Sequence, residues 1–212
     1  MKFLGWLALV AGLLCFGHAY AGPSANTTAQ LVIDGATCSG TVVAPSTILS
    51  AAHCFRDDDD PIAKMFGIPV PPKPLPKEML VDGYKVYIEA IVFDEADHAL
   101  VKVIFVFKDH SDLASRRPDV GAKVHYWGNA AKLNNTYREG YVTSYIHGEM
   151  QMDVNGFFGD SGAAIFDESG KVAGVMSYIS THPHAGLTFT LMGAYPLEFT
   201  PLQYSMMGVT PP

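Results

Sequence analysis

The sequence predicts an all-β protein, an antiparallel sandwich or barrel, on three observations. Short runs of β-type residues recur along the chain, turn-forming residues separate them, and no long amphipathic segment shows a 3.6-residue period. Many short strands with glycine-bearing turns are typical of such folds. The predicted strands are 31–33, 39–43, 47–51, 84–93, 99–107, 123–127, 138–145, 151–153, 163–166, 172–178 and 187–191.

Length and composition indicate a folded protein. The chain has 212 residues, of which 49% are apolar and 17% are charged, and this composition excludes intrinsic disorder. It carries 14 Lys and Arg against 21 Asp and Glu, for a formal net charge of -7. Proteins that bind nucleic acid through its phosphates normally carry the opposite charge, so we expect no nucleic-acid partner.

The first 21 residues have the layout of a secretory signal peptide. Lys2 precedes an apolar run over 3–16, and Ala19-Tyr20-Ala21 places small residues at the cleavage positions. The alternative is a membrane anchor, but a spanning helix needs about 20 apolar residues. We therefore predict cleavage before Gly22, a secreted or periplasmic protein made of residues 22–212, and no stable membrane association afterwards.

The cysteines depend on this export prediction. Cys15 would leave with the leader, so the exported chain would keep Cys38 and Cys54. In an oxidising compartment such a pair is most simply a disulfide, which would stabilise the fold by about 3 kcal/mol. The alternative is two buried free thiols.

Two segments interrupt the strand pattern. Residues 56–79 contain four consecutive aspartates, 57–60, followed by several prolines, and this composition predicts a surface loop. The aspartates could bind calcium or form a solvated acidic loop. A calcium site needs oxygens spaced to surround the ion, whereas a solvated loop does not. The polar segment 111–121 could separate two halves of the β structure. Near the C-terminus, Pro201 interrupts a weak helical candidate.

Three short segments contain residues suited to nucleophilic catalysis. His53 lies next to Cys54, Asp97 precedes a predicted strand, and Ser161 lies between glycines. A serine needs a neighbouring base to act as a nucleophile, and the base needs a group that orients it. Histidine is the suitable base near neutral pH, and a carboxylate can fix its tautomer. Taken singly, each residue also has an ordinary structural explanation.

These segments resemble the chymotrypsin/trypsin-like serine proteases. The resemblance lies in the Ala-Ala-His-Cys block that ends at Cys54, the Asp-His-Ala-Leu-Val-Lys-Val block that starts at Asp97, and Gly-Asp-Ser-Gly at 159–162. The blocks occur in the family's order. Their spacing places residues 28–205 within the family fold.

The resemblance implies the fold and the roles of particular residues. The fold would be two antiparallel six-stranded barrels, at about 28–112 and 120–205, with the active site in the cleft between them. Ser161 would be the nucleophile, His53 the general base and Asp97 the orienting carboxylate. The N–H groups of Gly159 and Ser161 would form the oxyanion hole, Cys38 and Cys54 would match the family's disulfide, and the segment 177–179 would pair with the substrate backbone.

The residues expected to bind substrate are Asn155, Gly156, Phe158, Ser177, Tyr178 and Ile179. The resemblance implies the roles of two of them: counting back from Ser161, Asn155 and Gly156 fall where the family's primary pocket has its base and its wall. Asn155 has no charge, and Met176 stands where glutamate-cutting relatives often have histidine. We therefore expect a neutral side chain before the cleaved bond. His182 and His184 could reach the pocket or face solvent.

The N-terminus departs from the digestive members of the family. There, a cut frees an Ile-Val-Gly-Gly start whose ammonium pairs with the aspartate before the serine, whereas this chain has Leu31-Val-Ile-Asp-Gly35. No Lys or Arg lies between Gly22 and Gln30. We expect signal cleavage alone to yield the active protein. The sequence does not show whether Asp160 has another partner or is solvated.

The sequence thus predicts an exported, monomeric serine endopeptidase that acts on polypeptides through an acyl-enzyme, without cofactor or metal. One alternative is a hydrolase of another ester or amide, although Ala163 breaks the Gly-x-Ser-x-Gly pattern. The other is a catalytically silent, protease-like binding module.

Overall fold

The computed structural model describes residues 23–56, 74–184 and 187–212, with the main chain alone at 23, 180–184 and 187–190. The predicted signal peptide, the four aspartates at 57–60 and the side chains of His182 and His184 lie outside the described residues. Among the residues that are described, no helix is both long and apolar enough to cross a membrane.

The described residues contain twelve strands, which form two closed antiparallel barrels of six strands each and confirm the predicted fold class. The first barrel has the strand order β1-β2-β3-β6-β5-β4. Its strands are β1 (Thr28–Ile33), β2 (Ala36–Ala44), β3 (Thr47–Ala51), β4 (Glu78–Val81), β5 (Tyr84–Phe93) and β6 (His98–Val103).

The second barrel has the order β10-β11-β12-β9-β8-β7. Its strands are β7 (Lys123–Gly128), β8 (Thr136–Ile146), β9 (Glu149–Met152), β10 (Ala164–Phe166), β11 (Val172–His184) and β12 (Leu187–Tyr195). Every pairing within both barrels is antiparallel. Closure pairs the edge strands and so leaves neither sheet with an open edge.

Each barrel encloses its own apolar cluster, and a third cluster joins the barrels. Leu31, Ile48 and Val101 lie inside the first barrel, and Val124 and Met152 lie inside the second. The third cluster combines side chains of both barrels with the C-terminal segment: Leu49, Leu100, Phe166, Val175, Phe199, Tyr204 and Met207. Because it lies between the barrels, this cluster fixes the position of one barrel relative to the other.

Short helices flank the barrels. α1 (Pro23–Thr27) contacts the second barrel and the segment between the barrels, since the Ser24 hydroxyl lies 3.3 Å from His125 Nε2 of β7 and Thr27 Oγ1 lies 2.7 Å from Ser111 Oγ. α2 (Pro201–Met207) begins at the proline that we expected to interrupt a helix. Proline suits the first position of a helix, where its missing N–H is not needed. Thr200 and Gln203 complete a capping box around it.

Several strand boundaries differ from the predicted ones. β6 ends at Val103, although the apolar run continues to Phe107, because Ile104, Phe105 and Val106 lie exposed beyond the barrel. Apolar composition reports hydrophobicity and does not show where strand pairing stops. β4 was not predicted, because it follows the proline-rich stretch and contains only four residues.

Candidate active site

His53 lies in a short 3-10 turn (Ala52–Cys54) that directly follows β3. The disulfide between Cys38 and Cys54 ties this turn to β2, as the sequence predicted. The N–H of Ala52 donates to the carbonyl of Asp97 at 3.0 Å, so the residue that precedes β6 also holds the turn. The backbone around the imidazole is therefore fixed on both sides.

Asp97 lies immediately before β6 and faces His53. Its Oδ2 is 2.7 Å from His53 Nδ1, and its Oδ1 accepts the His53 backbone N–H at 3.0 Å. The carboxylate side chain is 22% exposed and the imidazole 46% exposed. An acceptor at Nδ1 keeps the proton on that nitrogen and leaves Nε2 free to accept one. The pair thus has the geometry of a base with its orienting carboxylate.

Ser161 lies on a tight loop that hydrogen bonds to the first barrel. The carbonyl of Ser161 accepts from Ser39 N at 2.8 Å, and the N–H of Gly162 donates to Met176 O at 2.9 Å. Gly162 has a φ of +87°, and a Cβ there would overlap the main chain of Ser39 and the hydroxyl of Ser50. Only glycine fits this close contact between the barrels.

The peptide between Phe158 and Gly159 is held in one orientation. The carbonyl of Phe158 accepts from Ala131 N at 2.9 Å, and the carbonyl of Gly159 accepts from Ser39 Oγ at 2.8 Å. Because a trans peptide directs its C=O and N–H to opposite sides, the Gly159 N–H points away from Ala131. In the described part of the chain, neither this N–H nor that of Ser161 donates to another protein group.

The segment that supports this peptide is strained. Ala131 has a φ of +50° and Lys132 a φ of +68°, although neither is glycine. The buried amide of Asn129 donates to Ser39 Oγ at 2.9 Å and to Ala29 O at 3.1 Å. Strained backbone of this kind persists only where the surrounding contacts fix it, and it clusters at functional sites.

Asp160, whose partner the sequence left open, is paired inside the second barrel. It is 1% exposed, and its Oδ2 accepts from Arg138 at 3.0 Å, Tyr126 at 3.2 Å and the Phe157 N–H at 2.9 Å. Burial, followed by the nearby Asp160 carboxylate, raises the pKa of Tyr126 well above its usual range. Tyr126 therefore stays a neutral phenol beside Asp160 and adds no second negative charge there.

A cleft of about 1250 Å³ between the barrels contains all three proposed catalytic residues, His53, Asp97 and Ser161. In the part of the chain that the structure describes, Ser161 Oγ and His53 Nε2 do not hydrogen bond to each other. Such contacts are often long without substrate and shorten in the reacting complex.

The predicted substrate-binding residues divide into two groups. Phe158, Ser177, Tyr178 and Ile179 line the cleft, as does Tyr195, which the sequence did not single out. Asn155 and Gly156 are not among the lining residues of this cleft. The Asn155 carbonyl accepts from Tyr126 OH at 2.6 Å, and the Met192 side chain packs against Gly156. The role of Asn155 as the base of the primary pocket therefore stays a prediction; the residue is exposed, and its backbone carbonyl is held by Tyr126.

A second histidine–aspartate pair lies beside the first and was missed from the sequence. His98 Nδ1 is 2.6 Å from Asp94 Oδ2, and both side chains are fully buried. Asp94 also accepts from the backbone N–H groups of Ala96, His98 and Glu198, at 3.1, 3.1 and 3.0 Å. The sequence signal was the four-residue spacing of Asp94 and His98 around the turn that carries Asp97.

Metal-binding residues are not grouped in the described ranges 23–56, 74–184 and 187–212, where no cluster of three His, Cys, Asp or Glu side chains occurs. Within those ranges, the cleft brings together a hydroxyl, an imidazole, a carboxylate and two backbone N–H groups at Ser161, His53, Asp97 and Gly159. This arrangement is suited to acyl transfer.

A family model described as a trypsin-like peptidase domain matches residues 38–175. Solved structures share the fold. A Glu endopeptidase has a TM-score of 0.64 at 15% identity, over 86% of this chain and 89% of its own. The inactive form of Rv3671c from M. tuberculosis H37Rv, a Ser343Ala mutant, has a TM-score of 0.61 at 15% identity, over 89% and 90%.

A serine endoprotease from Yersinia pestis has a TM-score of 0.60 at 18% identity, over 82% of this chain and 60% of its own. A search of the curated proteins found no match. At these low identities the solved structures show only that this chain shares their fold. The family assignment rests on the family model that matches residues 38–175.

Proposed function

The chain belongs to the trypsin-like peptidase family and is a serine-type endopeptidase, and on that premise we propose that it is an exported enzyme using Ser161, His53 and Asp97. The observation that carries the proposal is the 2.7 Å contact between His53 Nδ1 and Asp97 Oδ2, in the cleft that also contains Ser161.

In the first half of the reaction, Ser161 Oγ attacks the carbonyl carbon of the peptide bond while His53 Nε2 takes the hydroxyl proton. Asp97 stabilises the imidazolium that forms and keeps its proton on Nδ1. The tetrahedral intermediate collapses when His53 returns the proton to the leaving amine. The C–N bond breaks and an ester of Ser161 remains.

In the second half, water replaces the amine. His53 takes a proton from the water, the oxygen attacks the ester, and the Ser161 oxygen leaves and regains its proton. In both halves the N–H groups of Gly159 and Ser161 would donate to the oxyanion. A donor of this kind contributes about 3 kcal/mol to the transition state.

A neutral side chain before the cleaved bond is supported by the composition of the cleft. The lining residues on β11 and β12 are uncharged: Met176, Ser177, Tyr178, Ile179 and Tyr195. Asp160 is buried in its ion pair with Arg138, so its charge is already compensated. A charged substrate side chain placed against these uncharged residues would lose hydration without gaining a partner among them.

Export is supported by the leader-like sequence of residues 1–21 and by the disulfide, because disulfides persist in oxidising compartments. Expression of the full chain in a secreting host tests it. We expect the exported protein to start at Gly22 by N-terminal sequencing. An intact leader in the exported fraction would contradict this part of the proposal.

A fluorophosphonate probe tests the nucleophile. The protein starting at Gly22 should be labelled, Ser161→Ala should lose the label, and the control Ser115→Ala, at an exposed surface serine, should keep it. Absence of labelling in protein that unfolds cooperatively would favour the silent binding module. Labelling that survives in Ser161→Ala would place the nucleophile elsewhere.

A further inference from the structure

Tyr178 covers a glycine on the neighbouring strand. Tyr178 of β11 pairs with Gly193 of β12, and a Cβ at position 193 would overlap the tyrosine ring. The phenol ring therefore lies flat against the main chain of β12. It occupies the space that a side chain at position 193 would take.

The far end of the ring is also held. Tyr178 OH donates to Glu149 Oε2 at 2.5 Å and accepts from the Gln151 side-chain amide, both on β9. The Tyr195 ring packs against it with a centroid distance of 5.2 Å. Burial, followed by the hydrogen bond to Glu149, raises the pKa of Tyr178, so the hydroxyl stays a donor. Three contacts from two strands keep the side chain in place.

This position adjoins the reacting groups. Ser161, Tyr178, Ile179 and Tyr195 line the same cleft, and β11 carries the segment 177–179 that the resemblance assigns to the substrate backbone. A substrate strand beside this segment would direct the side chain before the cleaved bond towards the wall formed by β11 and β12. The Tyr178 ring lies over Gly193 and already occupies the space in front of that wall.

We propose that Tyr178 is the specificity-determining residue of this endopeptidase and limits the side chain before the cleaved bond to small neutral ones, those of Gly, Ala and Ser. The proposal rests on the function proposed above and narrows its substrate class. A larger side chain would have to displace a ring held by two hydrogen bonds and by Tyr195.

The tyrosine also separates the cleft from a carboxylate. Glu149 lies at the hydroxyl end of the ring, and its interaction with Tyr178 is the contact that turns the phenol towards β9. Removing the ring would open a deeper pocket that ends at Glu149. Such a pocket would admit long side chains and would prefer Lys to Glu, because opposite charges attract where water is partly excluded.

Peptides that differ only at the residue before the cleaved bond test this, with Ala, Leu, Lys and Glu compared. We expect the unmodified enzyme to cleave the Ala peptide at least about tenfold more efficiently than the others. Tyr178→Ala should raise the ratio of kcat/KM for the Leu and Lys peptides to kcat/KM for the Ala peptide by about 10–100-fold, the range that a hydrophobic pocket achieves. Lys should exceed Glu, and adding Glu149→Gln should remove that difference.

Two control variants define the effect. Tyr178→Phe keeps the ring volume and should keep the preference for Ala, while Tyr84→Ala removes an exposed tyrosine of the first barrel and should change nothing. If the unmodified enzyme cleaved Leu and Ala peptides equally, the proposal would be overturned whether or not Tyr178→Ala folds. An equal gain for all peptides in Tyr178→Ala would also overturn it.

Fluorophosphonate labelling separates this proposal from the proposed function, because the probe needs no peptide side chain. An enzyme that is labelled but does not discriminate by size would refute the role of Tyr178 alone. An unlabelled enzyme would refute the serine mechanism, and the role of Tyr178 would fall with it.

Discussion

The guanidinium of Arg138 on β8 donates to both carboxylate oxygens of Asp160, at 3.0 and 3.3 Å. Asp160 is the residue directly before Ser161, so this ion pair joins the nucleophile loop to the wall of the second barrel. Both partners belong to the folded domain, and no free N-terminal ammonium is needed to neutralise the carboxylate. The pair gives a physical basis for activity without a second activating cut.

We therefore predict that Arg138→Met lowers both stability and turnover. Asp160 would be left buried with an uncompensated charge, which costs about 3–5 kcal/mol when a buried ion pair is broken. Denaturant unfolding measures the loss of stability, and fluorophosphonate labelling rates measure the state of the nucleophile loop. Arg116→Met, at an exposed arginine, is the matched control.

The same ion pair predicts insensitivity to the N-terminus. Protein that carries a few extra residues before Gly22 should label at the same rate as protein that starts at Gly22. A large increase on trimming the extension would contradict the role of Arg138 and indicate that a free N-terminus activates the enzyme.

Asp97→Asn should reduce kcat by about 10³–10⁴-fold with a small effect on KM. The amide cannot stabilise the imidazolium and can favour the wrong tautomer of His53. Initial rates on a peptide that the unmodified enzyme cleaves provide the measurement, with Asp109→Asn, outside the cleft lining, as the control. A normal kcat in Asp97→Asn would show that another group orients the base.

Asp94→Ala should be more damaging than Asp94→Asn. Alanine would leave four donors without their acceptor, including the buried His98 ring, whereas asparagine keeps one carbonyl oxygen. Because these donors shape the turn that carries Asp97, we expect kcat to fall with KM little changed. Steady-state kinetics together with unfolding midpoints distinguish this positioning role from a general loss of stability, which would leave the kcat of the folded fraction normal.

The double substitution Cys38→Ala and Cys54→Ala should lower the free energy of unfolding by about 3 kcal/mol, because the disulfide constrains the unfolded chain. Denaturant titration of both proteins measures this. Some activity should also be lost, since Cys54 neighbours His53. An unchanged unfolding midpoint would show that the disulfide contributes no net stability.

His125 should make the fold acid-sensitive. Burial lowers the pKa of this imidazole below 6.5, so the folded state holds its proton less tightly than the unfolded state does. Its contribution is complete above pH 6.5 and is lost as the pH falls through the folded pKa. Replacing it in His125→Phe should flatten the decline in unfolding free energy as the pH falls below about 6.5. An equally steep decline in this variant would assign the acid sensitivity to other groups.

The sequence by itself indicated the β class, the paired cysteines and the three blocks around His53, Asp97 and Ser161. These features are local, because strand periodicity, turn residues and short motifs lie within a few positions of one another. The disulfide and the two-barrel fold are confirmed. The roles of the three residues stay predictions that the 2.7 Å contact of His53 with Asp97 supports.

The tertiary structure alone decided which distant side chains meet. Arg138 reaches Asp160 and Tyr178 reaches Glu149 only because closing the second barrel sets the register of β8, β9, β11 and β12. The hydropathy pattern of the sequence does not predict these contacts. Each contact depends on which strands are neighbours in the barrel and on the register in which they pair.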